Sequence, residues 1–395
     1  MDEDRITAEL AVTAAVVRRE FLQLAVLVVA AGLLFLGTRT FATTNRALRR
    51  TDAAEWFARG ERQLSDGAAE TASAAFRRAV ALDPAAPCYH LALARALAQA
   101  GRDADARSVL LSLRQVDPES ANTNLELARL EARAARAADA VRYYQTTLAA
   151  LWPEADSAQR RAVRLELVEF LLRQQQRSRA LAELLVLNAD APAGPAASIR
   201  MGRLFLEAGD ARRAAARFAE VLATAPRDAA ALAGAGDAAF ELRDYAQALR
   251  FYDAGGPSAA VAERRSIASL VLTRAPLAPR LGTAARLQRL TQDARDTGDA
   301  LDACTSSLSE DHPQRSAVLS ARDAVAATLT DMTDSRARPA TRHTDSRRAG
   351  ALDDLEDALV VQLGSLRSAR AAGCPDSPFA QALERIGQMH GLVTP

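Results

Sequence analysis

The side chains best suited to chemistry are few and scattered. The four histidines are His90, His312, His343 and His390, and the three cysteines are Cys88, Cys304 and Cys374. No two cysteines form the Cys-x-x-Cys pair on which a zinc or iron–sulfur site is usually built. The zinc-protease, serine-hydrolase, phosphate-loop and dinucleotide-loop signatures are all missing from the chain. Catalytic groups can converge only in the fold, but nothing in the linear sequence nominates one. The expectation is therefore no catalytic residue, no metal, no cofactor and no small-molecule substrate.

The elements that would position any site are helices. Apolar residues make up 49% of the 395, aromatics only 5%, and alanine and leucine dominate the apolar share. That composition favours helix over sheet. Fifty basic residues, all arginine, face 49 acidic ones, for a net charge of +1. Such balance gives no general pull toward nucleic acid.

Residues 1–20 form a short N-terminal segment, followed at 21–38 by FLQLAVLVVAAGLLFLGT, which carries no charge. As a helix these residues span roughly 27 Å, close to the ~30 Å hydrocarbon core of a bilayer. A transmembrane helix is expected here. A cleaved signal peptide and a buried soluble helix are the alternatives; the apolar run is long for the first and lacks a polar face for the second. Arg5, Arg18 and Arg19 precede it, and Arg39, Arg46, Arg49 and Arg50 follow it, so charge bias sets the orientation only weakly.

From 52 to 256 the chain repeats itself. Trp56, Gly60, Ala72, Phe76, Ala79 and Pro84 are followed by Pro118 one period of 34 later, and then by Trp152-Pro153. After a short insertion at 154–160 the register resumes through Ala180, Leu184 and Pro192, then Gly202, Phe205, Ala214, Phe218 and Pro226, and fades after Gly236, Ala248 and Tyr252 at Gly255-Gly256. Gly101-Arg102-Asp103, Gly209-Asp210 and Arg243-Asp244 each precede an alanine-rich second helix, where glycine can end one helix and aspartate cap the next. This pattern resembles the tetratricopeptide repeat (TPR) family, in six units. The resemblance implies an all-α, right-handed superhelical solenoid whose first helices line a concave face that grips a peptide or helix.

On the implied inner face lie Phe57, Leu91, Leu125, Leu165 and Ile199, and one turn further on Glu61, Arg95, Arg129, Glu169 and Arg203. They read as an apolar track edged by charge, or alternatively as packing between first helices with a solvated rim. The asparagine and lysine of a carboxylate clamp are not at these positions.

Residues 257–395 keep helical spacing without the period. Helices are expected near 259–273, 282–307, 314–331, 351–371 and 378–390, with an exposed, mobile loop at 333–350. This region reads as a helical cap on the last repeat. Cys304 and Cys374 both fall at helix ends there, where a disulfide would staple two hairpins and mark an oxidising compartment; two unrelated thiols are the other reading. Cys88 reads as a packed residue at a repeat start, and His90 as filling the place of an aromatic.

Taken together, the expected function is a scaffold held in the bacterial inner membrane through residues 21–38. Its soluble part, read as periplasmic with the cytoplasm as the alternative, would bind protein partners of an envelope, secretion or respiratory assembly. A regulatory adaptor that delivers clients to a membrane protease or biosynthetic enzyme is the competing reading.

Overall fold

In the computed structural model, residues 3–152, 156–190, 194–275, 281–337 and 346–392 are described; among them, every regular element is a helix. The first, α1, runs from Glu3 to Ser65 without a break. The sequence reading separated a membrane helix ending at 38 from a repeat beginning at 52. The intervening residues 39–52 contain neither glycine nor proline, so nothing stops the helix. Thr38, Thr40, Thr43 and Thr51 turn their hydroxyls back onto carbonyls three or four residues earlier, which satisfies them within the helix. Apolar side chains of α1 stand bare: Leu27 is 68% exposed, Leu34 71% and Phe41 74%. By length and composition, α1 holds a stretch able to cross a membrane.

Hairpins follow. They comprise α2 (Ala69–Leu82), α3 (Pro87–Gln99) and α4 (Asp103–Val116), α5 (Ala121–Arg133) and α6 (Ala137–Ala149), and α7 (Ser157–Arg173) and α8 (Arg177–Ala189). Next come α9 (Pro195–Glu207) and α10 (Ala211–Thr224), then α11 (Ala229–Glu241) and α12 (Tyr245–Gly255). The turn inside each hairpin places one residue in the left-handed region: Gly67, Gly101, Ala135, Gln175, Gly209 and Arg243, spaced by 34 except for one step of 40. Behind each left-handed residue from Gly101 onward, the next N–H reaches back over the turn to a carbonyl, as Arg102 does to Leu97 and Asp210 to Phe205. This closes the helix end. Asp210 and Asp244 then cap α10 and α12 through their side chains. Asp103 does not cap α4: it is the first helical residue, and the cap position falls to Arg102. The prolines expected at 153 and 192 lie outside the described residues.

The chain forms two compact units, residues 1–170 and 171–395. In the first, each helix from α1 to α5 packs on the next, and α3 also meets α5. Phe76 fills the space beside Gly60, where an added Cβ would sit 2.6 Å from the ring. In the second unit, Phe218 lies between Gly202 and Gly234, and Tyr252 lies against Gly236. These close approaches explain why glycines are tolerated inside helices, where they otherwise cost about 1 kcal/mol each.

Within the second unit α13 (Ala259–Arg274) follows α12 as the next first helix would, and α11 touches it. Its partner is not the next helix in sequence but α17 (Pro378–Met389). Between them in the chain stand α14 (Thr283–Ser307), α15 (Arg315–Ala337) and α16 (Ser346–Ala371). One apolar cluster runs from Phe240 and Tyr252 through Val271 to Leu359, Leu383 and Ile386. The C-terminal helices are thus a cap sharing the last repeat's core. Of the loop expected at 333–350, residues 333–337 belong to α15 and 346–350 to α16. Residues 338–345, with His343, lie outside the described set.

Candidate partner-binding surfaces

On the first helices of the first unit the charges are mutually engaged. Arg95 donates from Nε to Glu126 at 2.7 Å. Glu126 also accepts from Arg129 at 3.2 Å, and Arg129 donates through Nε and a terminal nitrogen to both oxygens of Glu166 at 2.9–3.2 Å. Tyr144 completes the row with a 2.7 Å hydrogen bond to Glu166. The Arg129 guanidinium is held more firmly protonated, chiefly by its hydrogen bonds to Glu166 and against the opposing effect of burial. Exposed ion pairs contribute about 0–1 kcal/mol each. This row therefore acts as a register between α3, α5 and α7 more than as a source of stability.

A second charge group lies deeper. The Glu131 side chain is fully buried and bonded to Arg107 at 2.8 Å and to Arg136. Burial alone would raise its pKa, but the two arginines override it and hold the carboxyl below its ordinary range.

The apolar positions are only partly available. Leu125 is 3% exposed and belongs to the core. Phe57 is half-buried between Phe76 and Tyr89, with ring centroids 5.6 and 5.2 Å away. Leu91, Leu165 and Ile199 are half-buried, as is Glu169, while Glu61 and Arg203 are exposed.

The second unit carries an open cavity of about 850 Å³, lined by residues of α8, α9, α10, α11 and α13. It lies where first helices end and second helices begin: Arg177 opens α8, Gly209 and Asp210 form the turn into α10, and Glu241 ends α11. Arg203 and Arg212 line it as well.

Residues 63–122 and 205–269 match the sequence profile of the Tetratricopeptide repeat family. These segments carry tetratricopeptide repeats. No curated protein sequence matches the chain. Among solved structures, it is similar to YrrB, described as a TPR protein with an unusual peptide-binding site, at 17% identity over 48% of this chain and 96% of that one, with a TM-score of 0.39. A tetratricopeptide repeat protein from Parabacteroides merdae gives 14% identity over 61% and 92%, with the same score. PilW, described as a widely conserved type IV pilus biogenesis factor, gives 19% over 50% and 90%, at 0.38. The second matched segment runs on to residue 269, within α13.

The sequence singled out Arg95 and Arg129 but missed their partners. Glu126 and Glu166 each follow a track leucine, Leu125 and Leu165. Applying the repeat register one position further along would have found them.

The remaining chemistry-bearing residues stay apart. His90 bonds through a ring nitrogen to the Pro84 carbonyl at 3.0 Å. His312 Nδ1 accepts from the Gln314 N–H at 3.3 Å. His390 is half-buried, and burial lowers its pKa. Among the described residues, no group of three or more histidines, cysteines and carboxylates is arranged to hold a metal. Cys88 is exposed rather than packed, because it lies in the first turn of α3, ahead of the buried face that begins at Ala92. Cys304 and Cys374 are joined as a disulfide, with Cα atoms 5.7 Å apart.

Proposed function

We propose that this chain is a membrane-anchored protein-interaction scaffold. Tetratricopeptide repeats present helical surfaces to other proteins, and α1 is the anchor. The observation that carries the reading is the bare apolar stretch of α1, which runs without a break into the helix of the first hairpin. Exposed apolar surface of this extent in water is costly, and a bilayer removes the cost. One helix then serves as both membrane span and first repeat helix, so the repeats stand at a fixed offset from the bilayer. Their partners would be proteins of an envelope, secretion or respiratory assembly confined to the same surface, where confinement raises effective concentration. The Cys304–Cys374 disulfide supports an oxidising location for the soluble part, on the periplasmic side of an inner membrane.

Affinity-tagged full-length protein recovered from native membranes in mild detergent tests this directly. The expected result is a chain that resists alkaline carbonate extraction and carries protein partners in fixed ratio. A chain found in the soluble fraction, or one with no partner after crosslinking in cells, overturns the reading.

A further inference from the structure

The cavity of the second unit is lined by four arginines and four carboxylates, and their pairing is unequal. Of its carboxylates, Asp237 is held by Arg264 at 2.9 Å and accepts from the Tyr252 hydroxyl at 2.8 Å. Asp210 caps α10 through the Arg213 N–H and pairs with the Arg213 guanidinium. Glu241 faces Arg385 at 3.9 Å. Each acidic group is committed within the fold except Glu207.

Three arginines on the same cavity are not committed. Arg177, Arg203 and Arg212 are exposed, and among the described residues no guanidinium of the three has a hydrogen-bond or ion-pair partner. Arg177 and Arg212 stand in the first turns of α8 and α10. Basic side chains at a helix N-terminus lie at the wrong end of the macrodipole and weaken their own helix slightly. The cavity therefore keeps three cations in unfavourable or unpaired positions around an opening of about 850 Å³, within the size range of small-ligand and peptide sites.

From this we propose that the cavity is a docking site for an acidic peptide segment of a partner protein. Arg177, Arg203 and Arg212 bind its carboxylates, and Leu181 and Leu206 receive the apolar parts of its side chains. The proposal rests on the interaction-scaffold reading and specifies where one partner is held. Guanidinium groups match carboxylates in bidentate geometry and are weakly hydrated, which suits them to this task. The surface lies at the turns between first and second helices.

The test uses full-length protein in detergent and a fluorescein-labelled peptide of alternating glutamate and alanine. Its controls are the same peptide with glutamine for glutamate and an oligothymidylate of equal charge. Fluorescence polarisation is expected to report tighter binding of the acidic peptide than of either control, weakening as salt is raised. The triple variant Arg177→Ala, Arg203→Ala, Arg212→Ala is expected to lose about tenfold or more in affinity, with its helical content retained and its thermal midpoint unchanged or slightly raised, because none of the three side chains is paired in the fold and two stand at helix N-termini. Equal binding of glutamate and glutamine peptides, preference for the oligonucleotide, or an unaltered triple variant overturns the assignment. Crosslinking in cells separates the two levels. Partners retained in full by the triple variant sink this site alone, whereas no partners on the wild type sink the scaffold reading.

Discussion

Replacing Gly234 with alanine should loosen the second unit although alanine is the better helix former. An added Cβ at Gly234 would lie 2.3 Å from Phe218, and one at Gly202, on the ring's other side, 2.7 Å. Carbon atoms in good contact sit about 3.5–4.0 Å apart, so the ring or helix must shift by roughly 1 Å. Phe218 is fully buried, and retreat from α11 drives it toward α9. Overpacking of this kind costs about 1–3 kcal/mol, while the gain from glycine to alanine is at most about 1 kcal/mol. The net expectation is a loss of up to about 2 kcal/mol. Stability in repeat arrays is local, so amide hydrogen exchange in α11 is the assay. At about 1.4 kcal/mol per factor of ten, exchange should quicken by up to roughly 30-fold. In a Phe218→Leu background the ring is gone and only propensity remains, so Gly234→Ala should become neutral or protective. The reasoning is refuted if the substitution slows α11 exchange in the wild-type background, or acts alike in both.

Other expectations follow from the buried charges and the disulfide. Glu131→Gln should cost about 2 kcal/mol at neutral pH, because it withdraws a buried anion from Arg107 and Arg136. Since the folded pKa of Glu131 is lowered, its contribution is present above the unfolded value of about 4.3 and is lost as pH falls through the folded value. Urea midpoints of variant and wild type should therefore differ at neutral pH and converge as pH falls through the folded value. Asp293 behaves in the opposite sense: burial outweighs Arg274 and raises its pKa to about 7. Second-unit stability should fall by about 4 kcal/mol as pH rises from about 4 to about 7, and Asp293→Asn should remove that slope. Subtracting the two profiles separates Asp293, flanked by Arg274, Arg289 and Asp296, from His390, whose lowered pKa acts the other way. Reducing the Cys304–Cys374 bond opens a loop with a sequence separation of 70 and should cost the cap about 4 kcal/mol. Maleimide should modify Cys88 alone until a reductant is added.

Features with a local cause were legible in the sequence. The period was visible because each hairpin needs a small residue at the close approach, as at Gly202, and a ring to fill the opposite gap, as at Phe218. The stops were visible because Pro84, Pro118 and Pro226 cannot continue a helix. What sequence reasoning missed depends on residues far apart in the chain. The partners Arg129 and Glu166 come from different hairpins, and α13 pairs with α17, where Gln381 reaches Glu263 at 3.0 Å. The burial of Leu125 follows from the packing of neighbouring hairpins, which the 34-residue phase alone does not quantify. The unbroken α1 was missed for another reason: a change from apolar to charged residues looks like a boundary, yet composition does not end a helix without a glycine, proline or cap.

The most direct test of the scaffold claim is photo-crosslinking in living cells. A photoreactive residue is placed singly at Glu61, Arg95 and Arg203 on first helices, and at Ser108 and Gln145, exposed positions on the second helices α4 and α6. The account expects discrete crosslinked products, containing membrane or envelope proteins, from the first-helix positions and none from Ser108 or Gln145. Crosslinks of equal yield from both sets, or from the second helices alone, would contradict it.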